Sequence, residues 1–362
     1  MADARPRRAR ALADSLTASH VDGLLVTSLP NIRYLTGFSG TSALLLVTPR
    51  ELLLLTDFRY ATQVREEVGD LAQIAIEPQS LWNGLWRLLP GIAGLEVVGF
   101  ESAHLPHREF ERLLGAGAGW QWRPTVDLVE ALRERKDAGE IALITEAALI
   151  AEEALAVAIT GVRPGLTEMQ VAGLVEHALR DAGSEAFPFP TIVASGPRAA
   201  LPHARSSRRR IAAGELLLVD FGAVVGGYCA DITRTFVVGR ASEDQRDLYA
   251  VVRAANERAS AGVRAGIRGR DADALARRYI EDQGFGDGFG HSLGHGIGLE
   301  VHESPRLAST AEAVLLEGAV VTIEPGIYRP GWGGVRIEDD VVLEGERARV
   351  LTSFTRELIE IA

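Results

Sequence analysis

Short apolar runs alternate with helical patterns in the N-terminal part of the chain. Residues 21–28, 42–48 and 51–56 are rich in Leu and Val and have polar residues at their ends, which is typical of buried strands. Apolar positions at 107–114 recur with helical spacing instead. These patterns predict an α/β domain over residues 1–127.

The rest of the chain contains a helix–helix–strand pattern twice. A charged segment at 128–141 leads into a helical pattern, and Thr167 and Gln170 form a capping-box sequence that begins a second helix. The same order returns with helices predicted at 242–261 and 271–282, each time followed by strands. We therefore predict a second domain, residues 128–362, with an internal pseudo-two-fold repeat. Such repeats commonly place a site between their halves.

Composition excludes several classes of function. The 362 residues include 49 acidic and 38 basic side chains, and the net charge of -11 argues against a nucleic-acid partner. The chain lacks the apolar run of about 18 residues that a membrane span requires, so no membrane partner is expected. The single cysteine, Cys229, excludes an internal disulfide and a Cys-rich zinc site and favours a cytoplasmic location.

A first pair of carboxylates lies in the apolar segment 215–239. This segment is interpreted as two strands joined by a reversal at Gly226 and Gly227. Asp220 and Asp231 are symmetric about the boundary before Gly226, so a regular hairpin would place them opposite each other, with Cβ atoms about 4.5–5.5 Å apart. Two such charges repel each other unless a positive group lies between them, and a divalent cation would supply it.

A second pair follows the same logic. Glu324 and Glu338 lie in apolar strands and are symmetric about Gly331, in a loop rich in glycine and proline. A single pair of carboxylates on a hairpin is common at protein surfaces. Two pairs in strands this apolar favour a metal site.

A glycine-rich segment supplies the histidines. Residues 284–298 contain seven glycines together with His291 and His295, and His302 follows. The glycines disfavour the helix of a His-x3-His zinc motif, so extended backbone with close approaches is expected, with His291 and His295 on one face. Phosphate binding would need a helix N-terminus after the glycines, which the sequence does not provide. On their own, the other histidines are interpreted as structural: His20, His104, His107, His177 and His203.

The oxygen-rich set comprises Asp220, Asp231, His295, Glu324 and Glu338. One imidazole among four carboxylates suits Mn(II), Co(II) or zinc at higher coordination better than a closed structural zinc site. Four carboxylates can bridge two ions about 3.5–4 Å apart that share a water as hydroxide. This set predicts metal-assisted hydrolysis.

Five motifs in this order resemble the "pita-bread" metallopeptidases, the group of methionine aminopeptidase, aminopeptidase P and prolidase. They are VDFGA, ADITRTF, GHGIGLEVHE, TIEPGIY and VRIED. The earlier segments YLTGFSGTSALLLVT and LLTDFRY resemble the N-terminal domain of creatinase, prolidase and aminopeptidase P. The resemblance implies an α/β (α+β) fold: a creatinase-like N-terminal domain and a pita-bread catalytic domain. It also implies a homodimer.

The resemblance assigns roles to individual residues. It makes the five residues of the oxygen-rich set the ligands of two divalent ions, with Mn(II) preferred, Asp231 and Glu338 bridging, and Glu324 as proton shuttle for the bridging hydroxide. His203, His291 and His302 match histidines that contact substrate and steady the tetrahedral intermediate. Tyr328 and Arg336 match residues that support the site.

Cleavage before proline in peptides also follows from the resemblance. An Xaa-Pro bond has no N–H on its nitrogen, and a metal-polarised carbonyl does not need one. Arg306 is a candidate for binding the carboxylate of a dipeptide, or else a solvated loop residue. Arg59 lies in a sequence, Asp57 to Tyr60, that resembles the DxRY motif of small bacterial aminopeptidases P, or forms an Asp–Arg pair at a strand end. Since the first domain has no obvious loop to cap the site, we expect an Xaa-Pro aminopeptidase, with a prolidase as the alternative.

Three further alternatives are disfavoured. A metal-free creatinase-like hydrolase and a non-catalytic binding module would both lack the complete ligand set found here. Methionine aminopeptidases lack the long first domain.

Overall fold

The computed structural model describes residues 3–362. Contacts between residues divide the chain into two units, the first ending at Arg133 and the second beginning at Glu134. Within residues 3–362, every helix is either too short or too polar to serve as a transmembrane span.

A six-stranded mixed sheet forms the centre of the first unit. Its strands are β1 (Gly23–Val26), β2 (Ala43–Val47), β3 (Leu52–Asp57), β4 (Gln73–Glu77), β5 (Val97–Glu101) and β6 (Gln121–Thr125), in the order β4-β3-β2-β1-β5-β6. Its helices are α1 (Arg5–Ala18), α2 (Leu29–Thr36), α3 (Gln63–Val68), α4 (Leu81–Leu88), α5 (His107–Gly115) and α6 (Glu130–Arg133). Every residue of β1 and β2 is buried, as the uninterrupted apolar runs predict. The α/β interpretation of this region is confirmed.

Two pairs of helices support the second unit. They are α7 (Ala138–Ile159) with α8 (Glu168–Asp181), and α9 (Glu243–Gly262) with α10 (Gly269–Asp282). The capping box predicted at Thr167 and Gln170 is present, and Ser242 and Gln245 form the same arrangement at the start of α9. The predicted recurrence of a helix pair is therefore confirmed.

The strands of the second unit form two sheets and two short ribbons. In chain order they are β7 (Ile192–Ser195), β8 (Glu215–Phe221), β9 (Val224–Val225), β10 (Tyr228–Cys229), β11 (Ile232–Val238), β12 (Gly294–Gly296), β13 (Glu303–Leu307), β14 (Val320–Ile323), β15 (Gly326–Arg329), β16 (Gly333–Arg336), β17 (Asp339–Glu344), β18 (Arg347–Val350) and β19 (Glu360–Ile361). One sheet has the order β19-β11-β8-β7 and the other β13-β12-β14-β17-β18, whereas β9 pairs with β10 and β15 with β16.

Strand β8 is packed on both faces. Leu217 and Val219 belong to a core with α7 and α8, whereas Leu216 and Leu218 belong to a second core with α9 and α10. Because side chains alternate along a strand, Asp220 shares the face of Leu216 and Leu218. The carboxylate of Asp220 therefore points toward the second half of the unit.

The first long hairpin is interrupted near its acids. β8 pairs with β11 so that Asp220 lies opposite Thr233, and β9 and β10 continue to a turn at Gly226 and Gly227 with φ of 56° and 79°. A two-residue turn of this kind needs positive φ at both positions and centres the register between the two glycines. The prediction that Asp220 and Asp231 lie directly opposite each other is therefore wrong: the centre of the hairpin is shifted by one position, and the partner of Asp220 by two residues. Asp231 precedes β11 and is the diagonal neighbour of Asp220.

The second long hairpin has the predicted register. Ile323 of β14 lies opposite Asp339 of β17, and Gly326 of β15 lies opposite Arg336 of β16. The register is centred on Gly331, as predicted. Glu324 and Glu338 thus occupy matching positions in a break of the ladder. Such a break lets a side chain leave the regular alternation of a strand.

Two glycines allow the segment of His295 to approach its neighbours closely. Strand β12 pairs with both β13 and β14. A Cβ at Gly294 would overlap the carbonyl oxygen of Thr322, and one at Gly296 would overlap that of Ser304. The extended backbone with close approaches predicted for this segment is confirmed at β12.

We expect Gly294→Ala to lower the free energy of unfolding by at least about 2 kcal/mol, because the added methyl group forces β12 away from β14. Gly173→Ala is the matched control, since Gly173 is exposed in α8 and no atom lies within 4 Å of the position that its methyl group would take. It should raise the free energy by about 0.5–1 kcal/mol. Urea denaturation measures both, and equal stability of the two variants would contradict this explanation.

Candidate metal centre

Three of the predicted ligands meet at one place in the second unit. One ligand atom from each of Asp231, His295 and Glu338 lies within 4.8 Å of the others. His295 Nε2 is also 3.4 Å from a carboxylate oxygen of Glu324 and 3.9 Å from Asp231 Oδ2. The break in each hairpin thus contributes carboxylates to the surroundings of one imidazole.

Burial and mutual repulsion dominate the electrostatics of this cluster. Burial raises the pKa of Asp231 and of Glu338 well above the ordinary values, and neighbouring carboxylates raise both further. Burial is also the main cause that raises the pKa of Asp220, while the charge of Arg336 opposes it. The pKa of Glu324 is raised to about 8, mainly by burial. The four carboxylates therefore need a positive charge among them to remain ionised together.

The ring nitrogen Nε2 of His295 is unprotonated and faces the carboxylates. Its Nδ1 lies 3.0 Å from the carbonyl oxygen of Gly296, which can only accept, so Nδ1 carries the proton. Burial lowers the pKa of His295 to about 4, and the ring is neutral at pH 7. Nε2 is therefore unprotonated and faces Glu324 and Asp231, the state in which imidazole binds a metal.

Arg336 and Tyr328 form hydrogen bonds beside Asp220 and His291. Arg336 is 3% exposed and donates from Nη2 to Asp220, from Nη1 to Tyr328 Oη at 2.9 Å, and from Nε to Thr233 Oγ1 at 3.1 Å. The Tyr328 hydroxyl lies 2.9 Å from Nε2 of His291. Burial raises the pKa of Tyr328 to about 12, so the hydroxyl stays protonated and can donate to that nitrogen.

The remaining predicted histidines border the cluster. Nδ1 of His291 is 4.0 Å from a carboxylate oxygen of Glu324, and burial lowers the pKa of His291 to about 4. The ring centroid of His302 is 4.4 Å from that of His295. His203 is exposed, and its charge affects the pKa of Asp220 and of His302. The structure thus brings all three histidines to the neighbourhood of the acids.

The two candidate arginines have different surroundings. Arg306 lies opposite His295 in the pairing of β12 with β13, and it is exposed. In the first unit, Arg59 forms an ion pair of 2.8 Å with Asp57, the last residue of β3. The Asp–Arg pair at a strand end is therefore present, whereas a contact of Arg59 with substrate stays a prediction.

Sequence reasoning missed the hydroxyl groups that hold the ligands. Thr233 Oγ1 donates to Glu338 Oε2 at 2.6 Å, and Thr322 Oγ1 lies 3.3 Å from Glu324 Oε1 and accepts from the backbone N–H of His295. It also missed Asp340, which accepts from the backbone N–H of Asp231 at 3.0 Å. Spacing could have pointed to Thr233, because it lies two positions after Asp231 in the sequence.

The residues present fit divalent metal ions. Asp231 Oδ1 is buried and has no hydrogen-bond partner among residues 3–362, although a buried carboxylate oxygen normally has one. Its neighbours are further carboxylates and an unprotonated imidazole nitrogen. Oxygen ligands with one imidazole are the donors that Mn(II) and similar ions prefer.

Comparison with protein families gives two matches. The family described as metallopeptidase family M24 matches residues 142–344, and the creatinase/prolidase N-terminal domain matches residues 8–135. Both agree with the resemblance of the sequence motifs.

Individual relatives match the chain over nearly its whole length. The Xaa-Pro dipeptidase of Pyrococcus horikoshii is 36% identical over 99% of this chain and 100% of its own. The structure of the Xaa-Pro dipeptidase from Bacillus anthracis matches with a TM-score of 0.94 and 38% identity, covering 98% of this chain and 99% of its own. The X-Pro aminopeptidase from Thermotoga maritima matches with a TM-score of 0.91 and 34% identity, covering 98% and 99%. The likeness therefore extends over both units, and the predicted fold class is confirmed.

We expect Mn(II) to raise the melting temperature and a chelator to lower it, because the ions relieve repulsion that exists only in the folded state. An ion present at 100 times its Kd stabilises the fold by about 2.7 kcal/mol. Asp231→Asn is the control, since it removes one of the repelling charges. The metal-free variant should melt no lower than the metal-free native protein, and Mn(II) should hardly change it. If Mn(II) leaves the melting temperature of the native protein unchanged, these residues do not form a metal site.

Proposed function

The chain belongs to metallopeptidase family M24, and on this basis we propose that it is a prolidase, which hydrolyses the Xaa-Pro bond of dipeptides with two divalent metal ions. The observation that carries the choice of substrate is the pairing of Arg306 with His295 across β12 and β13. Residues opposite each other in an antiparallel pair project from the same face, with Cβ atoms about 4.5–5.5 Å apart. An exposed guanidinium thus lies on the side of the sheet that carries the candidate metal ligand.

The five carboxylate and histidine ligands would hold the ions, and Mn(II) is the proposed metal. They are Asp220, Asp231, His295, Glu324 and Glu338, with Asp231 and Glu338 proposed to bridge. When bound, such ions polarise a carbonyl oxygen and lower the pKa of a coordinated water.

Glu324 is proposed to move the proton. Its side chain, at 16% exposure, is more open than those of Asp220 and Asp231, and it lies near both His295 and His291. From there it can accept a proton from the attacking water and deliver it to the proline nitrogen, which leaves as a secondary amine. This delivery matters because an unprotonated nitrogen would have to leave as a strongly basic anion.

Three histidines are proposed to contact the substrate: His203, His291 and His302, which border the cluster. An imidazole N–H of His203 or His302 directed at the scissile carbonyl would stabilise the negative charge that develops on its oxygen. Both ring nitrogens of His291 are already hydrogen-bonded, so His291 would contact the substrate through the rest of its ring. Tyr328 and Arg336 are proposed to hold His291 and Asp220 in place through the hydrogen bonds described above.

Arg306 is proposed to bind the carboxylate that follows proline in a dipeptide. It forms no ion pair within the described part of the chain, so its guanidinium is free for an anionic ligand. Guanidinium binds carboxylates through two parallel hydrogen bonds, which would fix both position and orientation. A longer peptide carries an uncharged amide at this place and gains no such bond.

Removal of an N-terminal residue from longer peptides is the second candidate function. The X-Pro aminopeptidase from Thermotoga maritima is similar to this chain, and the sequence Asp57 to Tyr60 resembles a motif of small aminopeptidases P. The sequence alone favoured this activity. The Xaa-Pro dipeptidases among the relatives favour the dipeptide substrate instead.

Three substrates distinguish the two activities: Ala-Pro, its amide Ala-Pro-NH2, and Ala-Pro-Ala, each with added Mn(II). We expect kcat/KM for Ala-Pro to exceed that for the other two by at least about tenfold, since a hydrogen-bonded ion pair contributes about 1.5–3 kcal/mol. The amide is the matched control, because it differs from the dipeptide only in the terminal charge. Faster cleavage of Ala-Pro-Ala would favour the aminopeptidase, and no cleavage of any substrate would contradict both.

We expect Arg306→Met to raise KM for Ala-Pro about tenfold or more and to leave the hydrolysis of Ala-Pro-NH2 nearly unchanged. The reason is that only the dipeptide carries the carboxylate that loses its partner. Arg246→Met is the control, since it removes a surface guanidinium that pairs with Glu360. Steady-state kinetics measures these values. An equal effect on both substrates would mean that Arg306 does not bind the terminal carboxylate.

A further inference from the structure

An ion pair on α10, between the buried Asp273 and the partly exposed Arg277, contacts the segment that carries His291. Asp273 is 1% exposed and accepts from Arg277 Nε at 2.5 Å and from Arg277 Nη2 at 2.9 Å. The other carboxylate contact of Asp273 is with the backbone N–H of Leu293, at 3.0 Å. The carboxylate of Asp273 therefore links α10 to the backbone two residues after His291.

Arg277 also binds the segment of His291, at two backbone carbonyl groups. Its Nη1 donates to the carbonyl oxygen of Phe289 at 2.8 Å, and its Nη2 donates to that of His291 at 2.7 Å. The guanidinium carbon lies 4.3 Å from the ring centroid of Phe289. That ring in turn meets the ring of His291 edge to face, at 5.1 Å and 88°. The backbone before and after His291 is thus held by one helix.

The ring of His291 has hydrogen bonds of its own. Nδ1 of His291 lies 2.8 Å from the carbonyl oxygen of Ser292, and Nε2 lies 2.9 Å from Tyr328 Oη. Since only one of these bonds lies within the segment of His291, a shift of its backbone changes the geometry of the ring at Tyr328. Since Glu324 is 4.0 Å away, a small shift changes the approach of the imidazole to the reacting region.

We propose that Arg277, held by Asp273, is a positioning residue that sets the orientation of His291 for the hydrolysis proposed above. Arginine suits this task because its planar fork serves Asp273 and two carbonyl oxygens at once. Lysine has the same charge but offers a single nitrogen, so it can keep the ion pair and not the whole set of contacts. The proposal rests on the proposed function for its kinetic consequence and on geometry alone for the orientation.

The kinetic test uses Arg277→Lys, with Arg278→Met as the matched control. Arg278 is the next residue of α10 and is exposed. We expect Arg277→Lys to lower kcat for Ala-Pro about tenfold or more, with KM and the Mn(II) content nearly unchanged, because misplacement of a catalytic group mainly affects the chemical step. Arg278→Met should retain full activity. Asp273→Asn should repeat the effect of Arg277→Lys. Native kcat in Arg277→Lys would overturn the proposal.

A double-mutant cycle with His291→Ala separates positioning from a general loss of structure. If Arg277 acts through His291, the double variant Arg277→Lys/His291→Ala should be no slower than His291→Ala alone, within about twofold. Multiplied effects would mean that Arg277 acts elsewhere, and would overturn the proposal.

A spectroscopic readout needs no substrate. In the metal-free protein labelled with ¹⁵N-histidine, the ring resonances of His291 are identified by their loss in His291→Ala. We expect them to shift in Arg277→Lys and to stay in place in Arg278→Met. Unchanged resonances in Arg277→Lys would overturn the positioning role. If the native protein cleaves no Xaa-Pro substrate while these resonances shift as expected, the proposed function fails and the positioning of His291 stands.

Discussion

Repulsion between buried carboxylates is the constraint on which the second unit depends. Asp220, Asp231, Glu324 and Glu338 come from four segments, and burial raises the pKa of each. Such a cluster is costly in a protein without a function for it, since like charges in a low-dielectric interior destabilise the fold. Divalent ions turn the same arrangement into a binding site. The proposed function depends on this, because the carboxylates that destabilise the metal-free fold would bind the metal ions.

The surrounding structure supplies the geometry that the acids require. Breaks in two long hairpins release Asp231, Glu324 and Glu338 from the regular ladder, and hydroxyl groups of Thr233 and Thr322 orient two of the carboxylates. The guanidinium of Arg336 donates to both Asp220 and Tyr328, and its positive charge offsets the negative charge of Asp220. In addition, α10 holds the segment of His291 through hydrogen bonds of Asp273 and Arg277 to its backbone. The rigidity of the site therefore originates in the helices and sheets and not in the loops alone.

The sequence predicted local features better than long-range contacts. Capping residues defined α8, and the position of Gly331 gave the correct register for Glu324 and Glu338, because both depend on residues close in the chain. The predicted partner of Asp220 was wrong by two residues, since the register depends on whether the turn centres before or between its two glycines. The contact of Asp340 with Asp231, and those of Asp273 and Arg277 with the segment of His291, were missed, because they join residues that are distant in sequence.

The interrupted hairpins are proposed to hold a pair of divalent ions. Titration of the metal-free protein with Mn(II), followed by electron paramagnetic resonance, counts the ions and detects coupling between them. We expect two ions per chain at saturation and the spectrum of two spin-coupled Mn(II) ions, because ions that share carboxylates lie about 3.5–4 Å apart. A single uncoupled ion, or no tightly bound ion, would show that the hairpins do not hold a pair of metal ions.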